Sequence, residues 1–400
     1  MNKKRLLTQA IVAAIALSST QAMAAGFQLN SQSATGLGRA FAGDAVIADN
    51  ASVISRNAAA MTMFKETSMS IGFTVIDTDV SVKDASYKHL PNHTFGADDI
   101  GSTSVVPNFY IVSPINDKMA WGISAYSNFG TGTEFSSDFK APLLGGTTEV
   151  MSMNFGASLA YRLNEQWSIG GGLDLIYGQG KLKRDLGPIN ALDAEADGFA
   201  LGFNLGTVYE LNENNRFGLS YRYSPTLEAE GDIHYAGNDT DKLSVPLPDM
   251  VEFSGYHLLT EKFAAHYSLQ WVGWGAFDKV ETNGTTIKDY NWKDAGHASI
   301  GGTYYLNNDW ALRAGYMYDI SAADEDKSLS IPDSDRQWFS AGFTYNINSK
   351  SNIDFGATYL LGQDVDVTEQ VIAGQPLAGT VSATTRANAI LVGLQYSRSF

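Results

Sequence analysis

The sequence contains no cysteine. No disulfide can brace the chain, and no thiolate can act as nucleophile or metal ligand. It also lacks an apolar run of the length a membrane-spanning helix needs, about 20 residues. Residues 10–17 are apolar but too few, and nothing later is long enough. Positive charge is scarce, with 27 Lys and Arg against 43 Asp and Glu. Such a chain is repelled by phosphate backbones, which excludes nucleic acid as a partner. The six histidines, at 89, 93, 234, 257, 266 and 297, show no metal-ligand spacing. No G-x-S-x-G, P-loop or H-E-x-x-H motif occurs. The residues therefore offer no enzyme constellation and call for no cofactor or metal. Acidic pairs such as Asp98 and Asp99 read as solvated faces or as cation-mediated contacts with lipopolysaccharide.

What is present begins with an export signal. Lys3, Lys4 and Arg5 precede the short apolar run, and Ala22-Met23-Ala24 fits a cleavage site, so residues 1–24 are expected to be removed. The chain then carries 20 Phe, 19 Tyr and 7 Trp beside 39 Gly. From about Thr67 the apolar residues recur every second position, the mark of strands with two unlike faces. Met151, Met153, Phe155, Leu159 and Tyr161 alternate with Ser152, Asn154, Gly156 and Ser158; Phe199 to Leu211 and Ile353 to Leu361 repeat the pattern. The segments YRLNEQWS, YELNENNRFG, YYLNNDWA and YNINSKSNID each set an aromatic, an Asn-rich turn and a new strand in order. Asn tolerates the positive φ of tight hairpins, and rings at strand ends suit a membrane–water boundary. Longer acidic or Gly-rich connections are expected at 131–147, 185–197, 233–245, 281–291 and 322–334.

Short turns on one side and long loops on the other describe an all-β membrane protein, a transmembrane β-barrel of the bacterial outer membrane. Fourteen antiparallel strands are expected, near 66–82, 102–113, 118–130, 148–162, 166–183, 198–211, 216–231, 247–258, 262–280, 293–306, 310–321, 335–347, 352–369 and 384–400. Eight strands enclose a space that side chains fill, and sixteen or more leave an aqueous channel. Fourteen need something more than side chains. Residues 26–64, rich in Gly, Ala, Ser and Asn and without periodicity, are of the right size to be a plug. The expected division is signal peptide 1–24, N-terminal hatch 25–65 and barrel 66–400. The last strand ends in Phe400 on the parity of Ile390, Val392, Leu394 and Tyr396, interrupted by Arg398.

The opening GFQLN, the run SATGLGRAFAGDAVIADNAS and the ending SRNAAAMTMF resemble the N-terminal hatch of the FadL family of outer-membrane long-chain fatty-acid transporters. The C-terminal strand resembles the signal read by the barrel-assembly machinery. The resemblance implies passive, ligand-gated uptake of a long-chain fatty acid or similar hydrophobic molecule, with hatch movement and lateral exit through the barrel wall. It implies that Arg184 and Lys288 meet the ligand carboxylate, and that Phe27, Leu29 and Asn57 belong to the hatch and its gating. It also implies a strand kink at Phe129, Gly130 and Gly132 that opens the wall towards the membrane. The family usually reads Asn-Pro-Ala where this chain has Asn57-Ala58-Ala59, so the hatch is expected to be less rigid there. Segments 185–197 and 233–245 are short for the outer loops that form a capture groove, which is expected to be reduced. Outer-membrane lipid, lipopolysaccharide and the hydrophobic ligand are the implied partners, and a closed barrel needs no second copy, so a monomer is expected. Uptake of aromatic hydrocarbons, a general porin, or a surface receptor are the alternatives.

Overall fold

The structure is a computed structural model that describes residues 26–371 and 379–400. The expected leader, residues 1–24, lies outside them. Among the described residues, the strand segments line up as fourteen antiparallel barrel strands, with the short Phe95–Ala97 added at the outer edge. The first six are β1 (Ser68–Tyr87), β2 (Thr103–Pro114), β3 (Met119–Tyr126, resuming as Gly130–Glu134), β4 (Thr147–Arg162), β5 (Trp167–Leu186) and β6 (Ile189–Asn212). Four interrupted strands follow: β7 (Asn215–Tyr223, Leu227–Tyr235), β8 (Asn238–Val245, Met250–Thr260), β9 (Phe263–Val272, Lys279–Thr282) and β10 (Thr285–Asp289, Ala295–Tyr305). The last four are β11 (Trp310–Ile320), β12 (Arg336–Asn348), β13 (Ser351–Gly362, Val365–Gln370) and β14 (Thr380–Ser399). β14 pairs with β1 from Ser68↔Ser399 to Tyr87↔Val381, which closes the cylinder.

Its two faces are inverted relative to a protein in water. Along β4, Ser152, Asn154 and Ser158 are buried while Leu159 and Tyr161 are exposed. Leu173, Leu201, Leu205, Leu269 and Ile300 are each more than half exposed. A band of this kind is stable only against hydrocarbon. Rings pair across strands beside the short turns, as in Trp167–Tyr209 at 4.7 Å and Trp310–Tyr345 at 4.8 Å. Arg398, which breaks the last apolar stripe, sits 5.2 Å over the Phe400 ring, and the Phe400 amide donates to the Thr67 carbonyl at 2.9 Å.

The turns differ from expectation in two ways. None of Asn164, Asn307 or Asn348 takes a positive φ among the described residues. Each side-chain oxygen instead accepts backbone amides two or three residues on: Asn164 from Gln166 and Trp167, Asn307 from Asp309 and Trp310, Asn348 from Lys350. They are Asx turns. Segments 185–197, 233–245 and 281–291 are also not long loops but strand extensions closed by tight turns. Gly187 has φ +61, and both central residues are left-handed at Ala236-Gly237 (51 and 83) and Asn283-Gly284 (44 and 78), as two-residue hairpins require. Their acidic residues hid a period of two: Leu192, Ala194 and Ala196 face inward, while Glu195 and Asp197 stay exposed. The outer hairpins therefore heighten the barrel wall, and the loops expected to carry a reduced capture groove are part of that wall.

Residues 26–64 run through the interior. Their regular structure amounts to one helical turn, α1 (Ala34–Leu37), and 3-10 turns at Ala51–Ser55 and Ala58–Met63. Backbone groups left unpaired by so little structure must find partners elsewhere. The inner wall supplies them on every side. The Ala51 amide donates to Ser70 of β1, Gly43 to Ser268 of β9 and Ala34 to Gln395 of β14, at 3.1, 2.9 and 3.3 Å. Thr358 of β13 and Arg222 of β7 donate to the carbonyls of Leu37 and Ser55 at 3.2 and 2.7 Å. Glycine lets the wall come close: a Cβ on Gly315 would lie 2.2 Å from the Arg39 carbonyl.

Placing a charge in the lipid-facing band tests this orientation. Leu205→Arg is expected to destabilise the barrel by about 2–4 kcal/mol, read by reversible denaturant unfolding in lipid vesicles. A loss below 0.5 kcal/mol (about the spread of neutral surface substitutions) would place Leu205 away from hydrocarbon.

Candidate functional site

Above the N-terminal segment the extended strands enclose a narrow apolar cavity with about 30 Å³ of free space between its lining side chains. Leu182, Leu227, Leu243, Val245 and Val280 form its wall, and Ile331 reaches in from the connection between β11 and β12. Its floor is aromatic. Phe27 packs edge-on against Trp274 at 4.6 Å, Phe277 at 5.0 Å and Phe129 at 6.0 Å, with Trp292 at 5.7 Å. The period-two reading gave no hint of Trp274, Phe277, Tyr290 and Trp292, because they lie where β9 and β10 are interrupted. The clustering of aromatics in GWGAF and DYNW was the available signal.

Neither Arg184 nor Lys288 lines the cavity itself, but each touches a residue that does, Arg184 through Thr148 and Lys288 beside Tyr290. Lys288 Nζ is 5.3 Å from the Tyr290 ring centroid. The Arg184 guanidinium is buried and donates to the carbonyls of Thr147 and Lys183 at 2.5 and 2.8 Å and to Thr148 Oγ1 at 2.6 Å. Lys288 Nζ is paired with Glu369 and donates to Ser328 Oγ at 2.6 Å. Glu369 was not foreseen, since nothing local connects 288 with 369.

The kink is present where the sequence placed it, for a different reason. β3 breaks between its two segments, and neither Gly130 nor Gly132 uses a positive φ. The bend is held by hydrogen bonds. The Phe129 amide donates to Ser152 Oγ at 3.0 Å, the Leu29 amide to the Asn128 carbonyl at 2.6 Å, and the Gly130 amide to the Phe27 carbonyl at 2.8 Å. Gln28 and Phe129 thus form a one-residue antiparallel bridge. The ladder between β2 and β3 stops at Phe109↔Ala125; beyond the bend the outer half of β3 ladders with β4, and its Glu134 amide donates to the Ile100 carbonyl ahead of β2 at 2.9 Å. The ladder is therefore interrupted beside residues 103–108. Phe27 meets the cavity, but Leu29 does not: it packs on the opposite side with Ile76 and Val106.

Below Phe27 the interior turns polar. Gln28, Arg56, Asn128, Arg222, Glu252 and Gln270 surround a small pocket. Arg56 pairs with Glu252 at 3.3 Å, while Arg39 bonds Asp44 and Asp49 at 2.7 and 3.0 Å, and Arg313 of β11 reaches Asp49 at 3.3 Å. Asn57 caps the second 3-10 turn through the Ala59 amide and donates to the carbonyls of Ala45 and Thr207 at 2.8 and 3.0 Å. These bonds fix the segment at Ala58 without the proline.

A lipid-facing barrel with an occupied lumen and an apolar outer cavity is an outer-membrane channel. The model for the outer membrane protein transport family, OMPP1/FadL/TodX, matches residues 15–400, and the chain belongs to that family. It is 38% identical to the long-chain fatty acid transport protein of Escherichia coli O6:H1 over 92% of this chain and 94% of that protein. It is 31% identical to outer membrane protein P1 of Haemophilus influenzae, over 99% of this chain and 100% of that one. A crystal structure of a Pseudomonas aeruginosa FadL homologue superposes with a TM-score of 0.82 at 20% identity, covering 94% of this chain and 100% of that one. The P. putida toluene transporter TodX gives 0.68 at 18% identity, covering 88% and 94%. The family is one of channels, not enzymes, and the protein resides in the outer membrane.

The ion pairs of the segment carry a pH signature. Burial raises the Asp49 carboxyl, but Arg39 and Arg313 outweigh it and hold the group below its usual value of 3.8. A carboxylate depressed on folding stabilises fully above its unfolded pKa, and the contribution is lost as pH falls through the folded value. Hydrogen-exchange protection of residues 39–49 is therefore expected to be constant from pH 8 to about 5 and to drop below about 4. Asp49→Asn should remove roughly 1.5–3 kcal/mol of that protection at neutral pH; equal protection in both proteins would contradict the assignment.

Proposed function

We propose that the protein takes up long-chain fatty acids across the outer membrane, passively, with residues 25–65 serving as a hatch inside the barrel of 66–400. The observation that supports this reading is an apolar cavity with two cations directly behind its lining, Arg184 at Thr148 and Lys288 at Tyr290. An amphiphile with one anionic head and a long tail matches both halves. Burying a CH₂ contributes about 0.8 kcal/mol, so a sixteen-carbon tail gains on the order of 10 kcal/mol once the lining side chains part to admit it. Binding that strong needs a release step.

Phe27 supplies the coupling. It is at once cavity floor, head of the hatch and hydrogen-bond partner of the kinked strand through its carbonyl. A tail pushing Phe27 aside strains the Gln28–Phe129 bridge, which borders the interruption of the β2–β3 ladder. Straight passage towards the periplasm would drive the tail among Arg56, Glu252 and Arg222, where burying a charge against hydrocarbon is costly. Sideways exit past Phe129 avoids that cost.

Relatives titled toluene transporters and the aromatic floor favour a second reading, uptake of aromatic hydrocarbons. The two separate at the two cations. Replacing Arg184 and Lys288 together by Gln is expected to weaken oleate binding at least tenfold, about 1.4 kcal/mol, and to leave toluene binding unchanged. Saturable oleate binding that ignores both substitutions would sink the carboxylate site, and retention of toluene uptake alone in deletion-strain complementation would favour the second reading.

A further inference from the structure

We propose that Glu369 is a built-in stand-in for the ligand's carboxylate, and that fatty-acid loading exchanges one carboxylate for the other on Lys288. The inference rests on the uptake reading and adds a residue and a moving part to it.

One oxygen of Glu369 pairs with Lys288 Nζ, and the other accepts the Leu329 amide at 2.8 Å. Lys288 in turn donates to Ser328 Oγ at 2.6 Å. A single side chain on β13 thereby ties the outer part of β10 to residues 328–331. Those residues belong to a connection, yet Ser328, Leu329, Ser330 and Ile331 are all buried. They form a strap across the outer end of the barrel. Leu329 packs with Val82, Ile100 and Phe139, and Ile331 reaches into the apolar cavity. The Ser330 carbonyl accepts from Thr133 Oγ1 at 2.7 Å, on the far side of the kink in β3.

The chemistry of the exchange is balanced. Glutamate and a fatty acid present the same head group, so replacing one by the other leaves Lys288 paired throughout. In neither state is Lys288 left partly buried without a counter-ion, which is the arrangement that would be costly. Once Glu369 turns away, the Leu329 amide loses its acceptor and the strap loses its tie to β13. Ile331 can then leave the cavity and make room for the tail. An uncharged hydrocarbon has no means of displacing Glu369. The same pair therefore selects for a single carboxylate on a long apolar chain.

The test compares oleate with oleyl alcohol, which has the same tail and no charge, on the full chain in detergent. Glu369→Gln keeps the size and an acceptor for Leu329 while removing the charge. It is expected to tighten oleate binding by about tenfold, the factor by which a latched population of nine in ten lowers apparent affinity. Oleyl alcohol affinity should rise by less than about half that amount. In the unaltered protein, oleate and not oleyl alcohol should raise hydrogen exchange at the Leu329 amide. Oleate binding that is unchanged or weaker in Glu369→Gln, an equal gain for acid and alcohol, or an unresponsive Leu329 amide would each overturn the exchange and leave a structural ion pair. Absence of saturable oleate binding to the unaltered protein would instead remove the uptake reading and the exchange with it.

Discussion

The fit between residues 26–64 and the inner wall is the constraint on which the rest depends. A cylinder of fourteen strands is too wide for its own side chains to fill, and a segment with so little regular structure cannot satisfy its own backbone. Each solves the other's problem. Inward Ser, Thr and Gln of the wall accept from or donate to the segment's peptide groups, as at Ser70, Ser268, Thr358 and Gln395, and inward Gly lets the two backbones approach. The polar interior is thus a matched surface, and the apolar residues are released to face lipid.

The match ends at the head of the segment. Deeper residues are held by Arg39, Asp49 and Arg313 and by Asn57. Phe27 is held by edge-on rings, and it and its neighbours by backbone bonds to a strand that is itself bent and whose ladder with β2 is interrupted. Packing of rings can rearrange around an incoming tail in a way that buried ion pairs cannot, because a separated ion pair leaves uncompensated charge. The part proposed to move and the interruption of the β2–β3 ladder therefore coincide. In the uptake reading proposed above, the polar chamber below makes lateral exit the less costly direction.

Much of this was legible from the chain alone. Period-two alternation after residue 66 specified the strands, their number and the inverted faces, and the aperiodic small-residue stretch marked the segment that lies inside the barrel. The outer hairpins were missed because alternation there is between acidic and small residues, as in Leu192-Asp193-Ala194-Glu195-Ala196, and charge reads as loop. Asn-rich turns were located correctly but act through their side chains. At the site, Arg184, Lys288, Phe27 and Phe129 could be named from local resemblance, each being close to a recognisable motif. Leu29 could not be assigned to its side of the segment, since a single bridge at Gln28 decides it. Partners such as Glu369 and Arg313 depend on which strands close beside one another, and no spacing in the sequence encodes that.

Because the chain has no native cysteine, the central claim is open to a clean test. Gln28 and Phe129 face each other across an antiparallel bridge, a separation that a disulfide can span. With cysteine at both positions, fatty-acid uptake is measured oxidised and reduced in the same cells. If the head of the hatch must part from the kinked strand, uptake is lost on oxidation and returns on reduction. Equal uptake in both states would contradict it.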